Sequence, residues 1–350
     1  RSHRMTTQAS HNAMSSSTAD STSGAWLAYS AGLPVVVGVL ALMFGWHIAV
    51  GAKSLPLSTV LNALVSYDAT QFDHMIVRDL RLPRAVIAVL VGAALSVAGA
   101  LMQGVTRNPL AEPGILGLMA GASFAVVMTI GVFQTVPTVW LPWVAAVGAM
   151  VTAVVVWLIA QWAPGGATPL TLTLAGAAIT AFLGALISVT HLLNQETFEQ
   201  LRVWLAGSLS GRRVDVLSVA APWLCLALGL AMVLSRKVTV LAMGDDVARG
   251  LGVRTGWLKV QVLLCVVVLT ACSVALAGPL GFVGLVIPHV VRLFIGSDYR
   301  WIVPYSALVG GAYLLGVDII ARLALRPQEI ATGIMTAMVG APLFIHLVRQ

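Results

Sequence analysis

The sequence predicts an all-α integral membrane protein with ten transmembrane helices, and three observations carry that expectation. Of 350 residues, 59% are hydrophobic and only 9% are Asp, Glu, Lys or Arg, against about 25% charged in an ordinary soluble domain. So few charges cannot cover a water-facing surface, so lipid must replace water over most of it. The charges are also clustered, leaving long runs without any: none occurs from Pro113 to Gln195, nor in Trp26–Ala52, Ala85–Thr106, Val216–Ser235, Val260–Val291 or Ile330–Val348. Finally, these runs have the length of membrane-crossing helices, about 20 residues each, whereas barrel strands alternate in pieces of about ten.

Each element follows from those runs in chain order. The first places a helix at 26–50 and the second at 83–106. The long run from Pro113 divides at the breaks Gln134–Pro137 and Pro164–Pro169 into helices at 114–133, 138–162 and 169–193. The remaining runs give 216–235, 258–277, 281–296, 302–321 and 329–348. Most links are short and polar or rich in Gly and Pro, but 51–82, 194–215 and 236–257 are longer and are candidate meeting points for partners. Residues 1–24 are rich in Ser, Thr and Ala with no apolar run and read as a disordered tail, with Arg1-Ser2-His3-Arg4 ahead of Met5 as an appended scar; residues 25–350 are expected to form a single ten-helix transmembrane domain. No cleavable signal peptide is evident.

Net charge is +7, but in a membrane chain the arginines belong to loops, so nucleic acid is not expected as a partner. Cys225, Cys265 and Cys272 lie in apolar runs without metal-type spacing and read as packing residues. With the N-terminus placed inside, Lys and Arg divide evenly between the faces once the scar is removed. The positive-inside rule barely votes. Arg78, Arg81, Arg84, Arg202, Arg212, Arg213, Arg322 and Arg326 then fall outside, as a docking surface for an acidic partner or as snorkelling interfacial anchors. Leu95-Ser-Val-Ala98 echoes Cys272-Ser-Val-Ala275 about half a chain later, which fits two inverted five-helix halves.

The chemistry missing from the sequence narrows the function. No phosphate loop occurs, since Gly51-Ala-Lys-Ser54 lacks the earlier glycine, and there is neither a paired-His metalloprotease motif nor a nucleophile elbow. The chain is not an enzyme and implies no cofactor; any ATP and Mg must be used by another subunit. Asp318 is the sole carboxylate well inside an expected span, one helical turn from Arg322. A local ion pair explains it better than a proton relay, so ion-coupled secondary transport is the weaker alternative. In the connection 236–259, Met243–Val253 reads as an acidic helix start, a short helix and a glycine stop, suited to contact with a soluble subunit.

Asn108-Pro-Leu-Ala-Glu-Pro-Gly-Ile-Leu-Gly117, Gly244-Asp-Asp-x-Ala-x-x-Leu-Gly252, Gly281-Phe-Val-Gly-Leu-Val-Ile-Pro-His-Val-Val-Arg292 and Gly333-Ile-Met-Thr-Ala-Met-Val-Gly-Ala-Pro342 together resemble the FecCD family, permease subunits of bacterial ABC importers for ferric siderophores, heme and cobalamin. The likeness runs from about residue 30 to 348. It implies a ten-helix homodimer in the inner membrane, two ATP-binding cassette subunits beneath it and a periplasmic binding protein above. It further implies ATPase coupling through Gly244, Asp245, Asp246, Ala248, Leu251 and Gly252, binding-protein docking through Arg81, Arg84 and Arg322, and a cytoplasmic gate at Thr168, Pro169 and Leu170. Arg326 joins the docking set by its spacing. Pro and Leu stand where the cobalamin member has hydroxyl-bearing gate residues, and Ala331 stands where many relatives carry proline.

His289 belongs to a motif shared whatever the substrate and reads as packing. His191 is outside the shared motifs and is the candidate pathway contact to heme iron, with a hydrogen-bonded interfacial role as its alternative. Met102, Met119, Met128, Met335 and Met338 read as core filling. Heme is the favoured cargo, a ferric siderophore second and cobalamin third.

Overall fold

A computed structural model describes residues 29–51, 53–114, 116–133, 136–164, 166, 168–193, 205–210, 214–325 and 328–349. The expected tail at 1–24, together with Arg326, lies outside the described residues. Among those described, the chain is helical apart from one isolated bridge between Leu325 and Gln328. Seven helices are long and apolar enough to cross a membrane: α1 (Tyr29–Ala49), α3 (Phe72–Thr106), α5 (Leu141–Trp162), α6 (Pro169–Leu193, apolar over Leu170–Thr190), α7 (Val214–Ala242), α9 (Thr255–Ala277) and α11 (Tyr299–Leu323). Three apolar helices are shorter, α4 (Leu118–Phe133), α10 (Val283–Ile295) and α12 (Thr332–Val348), and two small helices, α2 (Leu57–Val65) and α8 (Asp245–Gly250), sit in connections.

The bundle is organised around α3, which packs against α7, α9, α10 and α11 and is buried along most of its length. Small residues make this possible. A Cβ at Gly92 would collide with the Gly310 carbonyl on α11, and one at Gly99 with the Gly284 carbonyl on α10. Lipid tails are as apolar as leucine, so close packing of small residues replaces the hydrophobic drive between helices. The helices α1, α5 and α6 instead expose Leu42, Val147, Val151, Leu174 and Phe182, apolar faces that nothing among the described residues covers.

Two boundaries differ from the sequence expectation. Charged Asp73, Arg78 and Asp79 set the start of the second helix at 83, yet α3 begins at Phe72 and passes through a π-helical turn at Ile76–Arg81. Pro83 has no N–H to give the Asp79 carbonyl, so the backbone widens to the i+5 pattern instead of breaking; the Leu82 N–H reaches back to Val77. Likewise α7 continues through Arg236 and Lys237 to Ala242, because the backbone ladder has no reason to stop where side chains become wet. The expected 236–259 connection therefore contracts to the two short links on either side of α8.

Candidate functional site

The chemistry-bearing residues gather at the two ends of α3. Arg84 and Arg107 are 23 residues apart on it, about 35 Å at the helical rise.

At the first end, Asp318 on α11 is fully buried and has four side-chain partners. Arg84 donates to it through Nε (2.9 Å) and Nη2 (3.0 Å), a bidentate fork. His47 Nε2 donates at 2.8 Å and Thr332 Oγ1 at 2.9 Å. Arg322, one turn along the helix, lies 3.3 Å away through Nε. The ion pair expected from spacing is therefore one edge of a larger cluster that joins α1, α3, α11 and α12. An ionised carboxylate only accepts, so His47 presents its protonated Nε2.

The remaining arginine donors go to backbone. Arg322 Nη1 donates to the Val50 carbonyl at 2.8 Å and Nη2 to His47 at 3.1 Å. Arg81 donates to the carbonyls of Ile48, Ala49 and Lys53. Arg81, Arg84 and Arg322, the arginines that the resemblance assigns to docking, are largely buried within this subunit. Arg322 is only 2% exposed and Arg84 12%. The carbonyls at the C-terminal end of α1 need donors, and burying these guanidiniums supplies them.

Arg84 has one further bond, from Nη1 to Glu329 Oε2 at 2.8 Å, and the Ser210 hydroxyl donates to the same oxygen at 2.7 Å. Burial pushes the Glu329 carboxyl up, but Arg84 and Ser210 outweigh it and hold it below its usual range. These groups border a cavity of about 470 Å³ whose polar lining is Lys53, Arg81, Arg84, Arg322, Ser210 and Glu329, with Phe72, Ile76, Leu80 and Leu209 as apolar walls. Lys53 pairs with Asp73 at 2.6 Å on the rim. The segment before Ser210 is pinned between helix ends: Ser208 N–H donates to Ala277, and Gly333 N–H to Gly207. Gly207 has φ +72°, and a Cβ there would meet the Pro279 carbonyl at 2.6 Å, so glycine is required.

At the second end, α8 begins after Gly244 at φ 128°. Asp245 accepts from Lys259 Nζ at 2.7 Å and faces Arg107 at 3.9 Å; the Lys259 hydrogen bond holds its carboxyl below the usual carboxylate range. Ala248 is buried against the bundle, whereas Asp246 is 99% exposed. Val247 and Leu251 are exposed one helical turn apart, an apolar row on the free side, and Met243 is exposed just before the helix. Gly252 closes the turn at φ +79°. The six residues expected to act alike thus divide into three sets, of which Gly244 and Gly252 make the turns on either side. Asp245 and Ala248 anchor the segment, while Asp246 and Leu251 present it.

Thr168 precedes the first turn of α6, which begins at Pro169. Its N–H donates to Thr171 Oγ1 at 2.8 Å and its hydroxyl accepts from the Thr171 N–H at 3.2 Å; Leu170 is exposed. The side chains of Pro169 and His191 lie outside the described residues, although both positions belong to α6. His289 is partly buried, with Nδ1 unpartnered. Met102, Met119 and Met335 are core residues and Met338 is exposed. The sequence reading missed His47, Glu329, Thr332, Ser210, Lys259 and Arg107. Only the spacing of Lys259 from Asp245 across a helix–turn–helix carried any signal.

The FecCD transport family matches residues 39–350. The "Probable siderophore transport system permease protein YfiZ" of Bacillus subtilis (strain 168) is 43% identical over 291 residues, covering 83% of this chain and 87% of the relative. The hemin transport system permease protein HmuU of Yersinia pestis is 36% identical over 305 residues, covering 86% and 90%. Among solved structures, a metal-chelate type ABC transporter in an inward-facing conformation superposes with a TM-score of 0.78 at 30% identity, covering 91% of this chain and 98% of that one.

Proposed function

Because this chain belongs to the FecCD transport family, we propose that it is the membrane-spanning subunit of an ATP-driven importer that passes a ferric chelate, a siderophore complex in the first instance, between two copies of itself. One observation carries the reading beyond family membership: the two ends of α3 hold different kinds of interaction surface. A cationic cavity with a carboxylate at its mouth sits at one end and an acidic short helix with a free apolar row at the other. That is the division expected of a subunit meeting an acidic binding protein outside and an ATPase inside.

In this reading the three shorter apolar helices complete ten spans in two inverted halves, and the machine is a homodimer in the inner membrane with two ATPase subunits. Arg84, with Arg81 and Arg322 around it, forms the docking mouth, and Arg326 joins the set by its spacing in the sequence. Gly244–Gly252 is the coupling segment, and Thr168–Leu170 lies at the inner gate. Ion coupling has little support, because the carboxylates at this cavity are internally matched: Asp318 and Glu329 against Arg84 and Arg322.

Siderophore takes precedence over heme because the siderophore relative is more similar than the hemin relative. The hemin relative keeps heme as the second reading. Proteoliposomes holding the permease with its ATPase and binding protein should accumulate iron-labelled ferric hydroxamate only with internal ATP. Uptake that persists without ATP but collapses with the proton gradient would reject the importer; ATP-driven uptake of heme alone would reject the cargo.

A further inference from the structure

The cavity at the start of α3 has an internal occupant. Of its four lining cations, Arg81 and Arg322 are fixed by backbone carbonyls and, for Arg322, by Asp318. Lys53 is paired with Asp73 at the rim. Arg84 is different because it has two ends. Its Nε and Nη2 fork onto buried Asp318, while Nη1 points towards the mouth and is taken by Glu329. Glu329 is 26% exposed and, among the described residues, is the only acid lining the cavity. It stands in the short connection between α11 and α12, and the Ser210 hydroxyl holds the same Oε2. Glu329 is thus an acid on a short tether seated where an incoming acid would sit.

We propose that Glu329 is an intramolecular competitor for Arg84, so that an acidic side chain of the binding protein must displace it to dock, and that this contact sets the affinity and rate of association. The inference rests on the docking reading given above. Exchanging one carboxylate for another on the same guanidinium changes the pair energy little, so the competitor does not abolish docking; it lowers affinity by roughly the worth of one half-exposed ion pair. The competitor also excludes neutral partners, which cannot repay the lost bond.

The test uses the complete transporter in nanodiscs over an immobilised binding protein of the same importer. Glu329→Gln should tighten the complex about three- to tenfold at low salt, mainly through faster association, and the gain should shrink as salt screens the pair. Ser210→Ala loosens the competitor without removing charge and should give a smaller gain in the same direction. A merely structural Glu329 would show weaker or unchanged binding in both variants, which overturns the proposal. Arg84→Gln separates the two layers. If it leaves affinity unchanged, docking at this cavity is wrong. If it weakens binding while Glu329→Gln and Ser210→Ala do not strengthen it, docking stands and the competitor is wrong.

Discussion

Replacing Asp318 by Asn tests whether the buried cluster is held by charge or by hydrogen bonding. The amide keeps the size of the carboxylate: its carbonyl, set in place of the oxygen nearest His47, still accepts from Nε2 at 2.8 Å, and the Thr332 hydroxyl, 2.9 Å from the other oxygen, can accept from the amide NH2 instead of donating. What it removes is the counter-charge of two guanidiniums, Arg84 in a bidentate fork and Arg322 at 3.3 Å. Arg84 keeps Glu329, but Arg322 has only carbonyls left. Breaking a buried pair from one side costs about 3–5 kcal/mol, because the remaining charge is desolvated and unmatched. The variant should lose that much in a reversible denaturant titration of the detergent-solubilised permease at neutral pH. Adding Arg322→Gln to it should restore more than about 1 kcal/mol, since directly contacting residues couple by 0.5–3 kcal/mol. If Asp318→Asn unfolds within about 1 kcal/mol of the parent, or the second change only adds damage, the cluster is a hydrogen-bond network and the charge argument fails.

Glu112, in the connection between α3 and α4, lies against the backbone N–H groups of Phe282 and Leu285, and burial overrides their pull to push its carboxyl up to about 7. A folded pKa above the unfolded value of about 4.3 means that the folded state keeps its proton longer, so stability declines as pH rises from about 4 to 7 and stays reduced above that. Glu112→Gln should flatten this dependence and gain roughly 1–3 kcal/mol at pH 8 with nothing at pH 4; parallel melting curves for parent and variant would refute it. For coupling, Leu251→Asp should cut substrate-stimulated ATP hydrolysis about tenfold while moving stability by less than about 0.5 kcal/mol, as for an exposed site. Asp245→Asn should reduce both, because it also loses Lys259. Full stimulation in Leu251→Asp would show that the apolar row of α8 is not the ATPase contact.

The spans were legible because lipid acts on composition: a segment that crosses cannot hold charge, so its outline survives in the residue order. Helix ends were less legible for the complementary reason. Beyond the lipid, α3 and α7 continue on backbone hydrogen bonds that charged side chains do not interrupt, and neither Asp73 nor Arg236 marks a stop. The pairing of the charges was not legible at all. His47 meets Asp318 across 271 residues of sequence and Arg84 meets Glu329 across 245; no period or motif encodes such distances.

The arginines show where scarcity of charge stops being a guide. Lys and Arg on a face expected to lie outside suggest groups held out for a partner, and counting cannot tell such a group from one folded inward. The physical distinction is what else at that end needs a donor. The last turn of α1 leaves the carbonyls of His47, Ile48, Ala49 and Val50 open, and Arg81 and Arg322 satisfy them. Only Arg84, whose needs are met by two carboxylates instead of by backbone, keeps a bond that can be exchanged without unsealing a helix. If the binding protein docks at this cavity as proposed, specificity therefore rests, among the described residues, on the one arginine there whose mouth-side partner is itself an acid, and Arg81 and Arg322 build the frame that aims it.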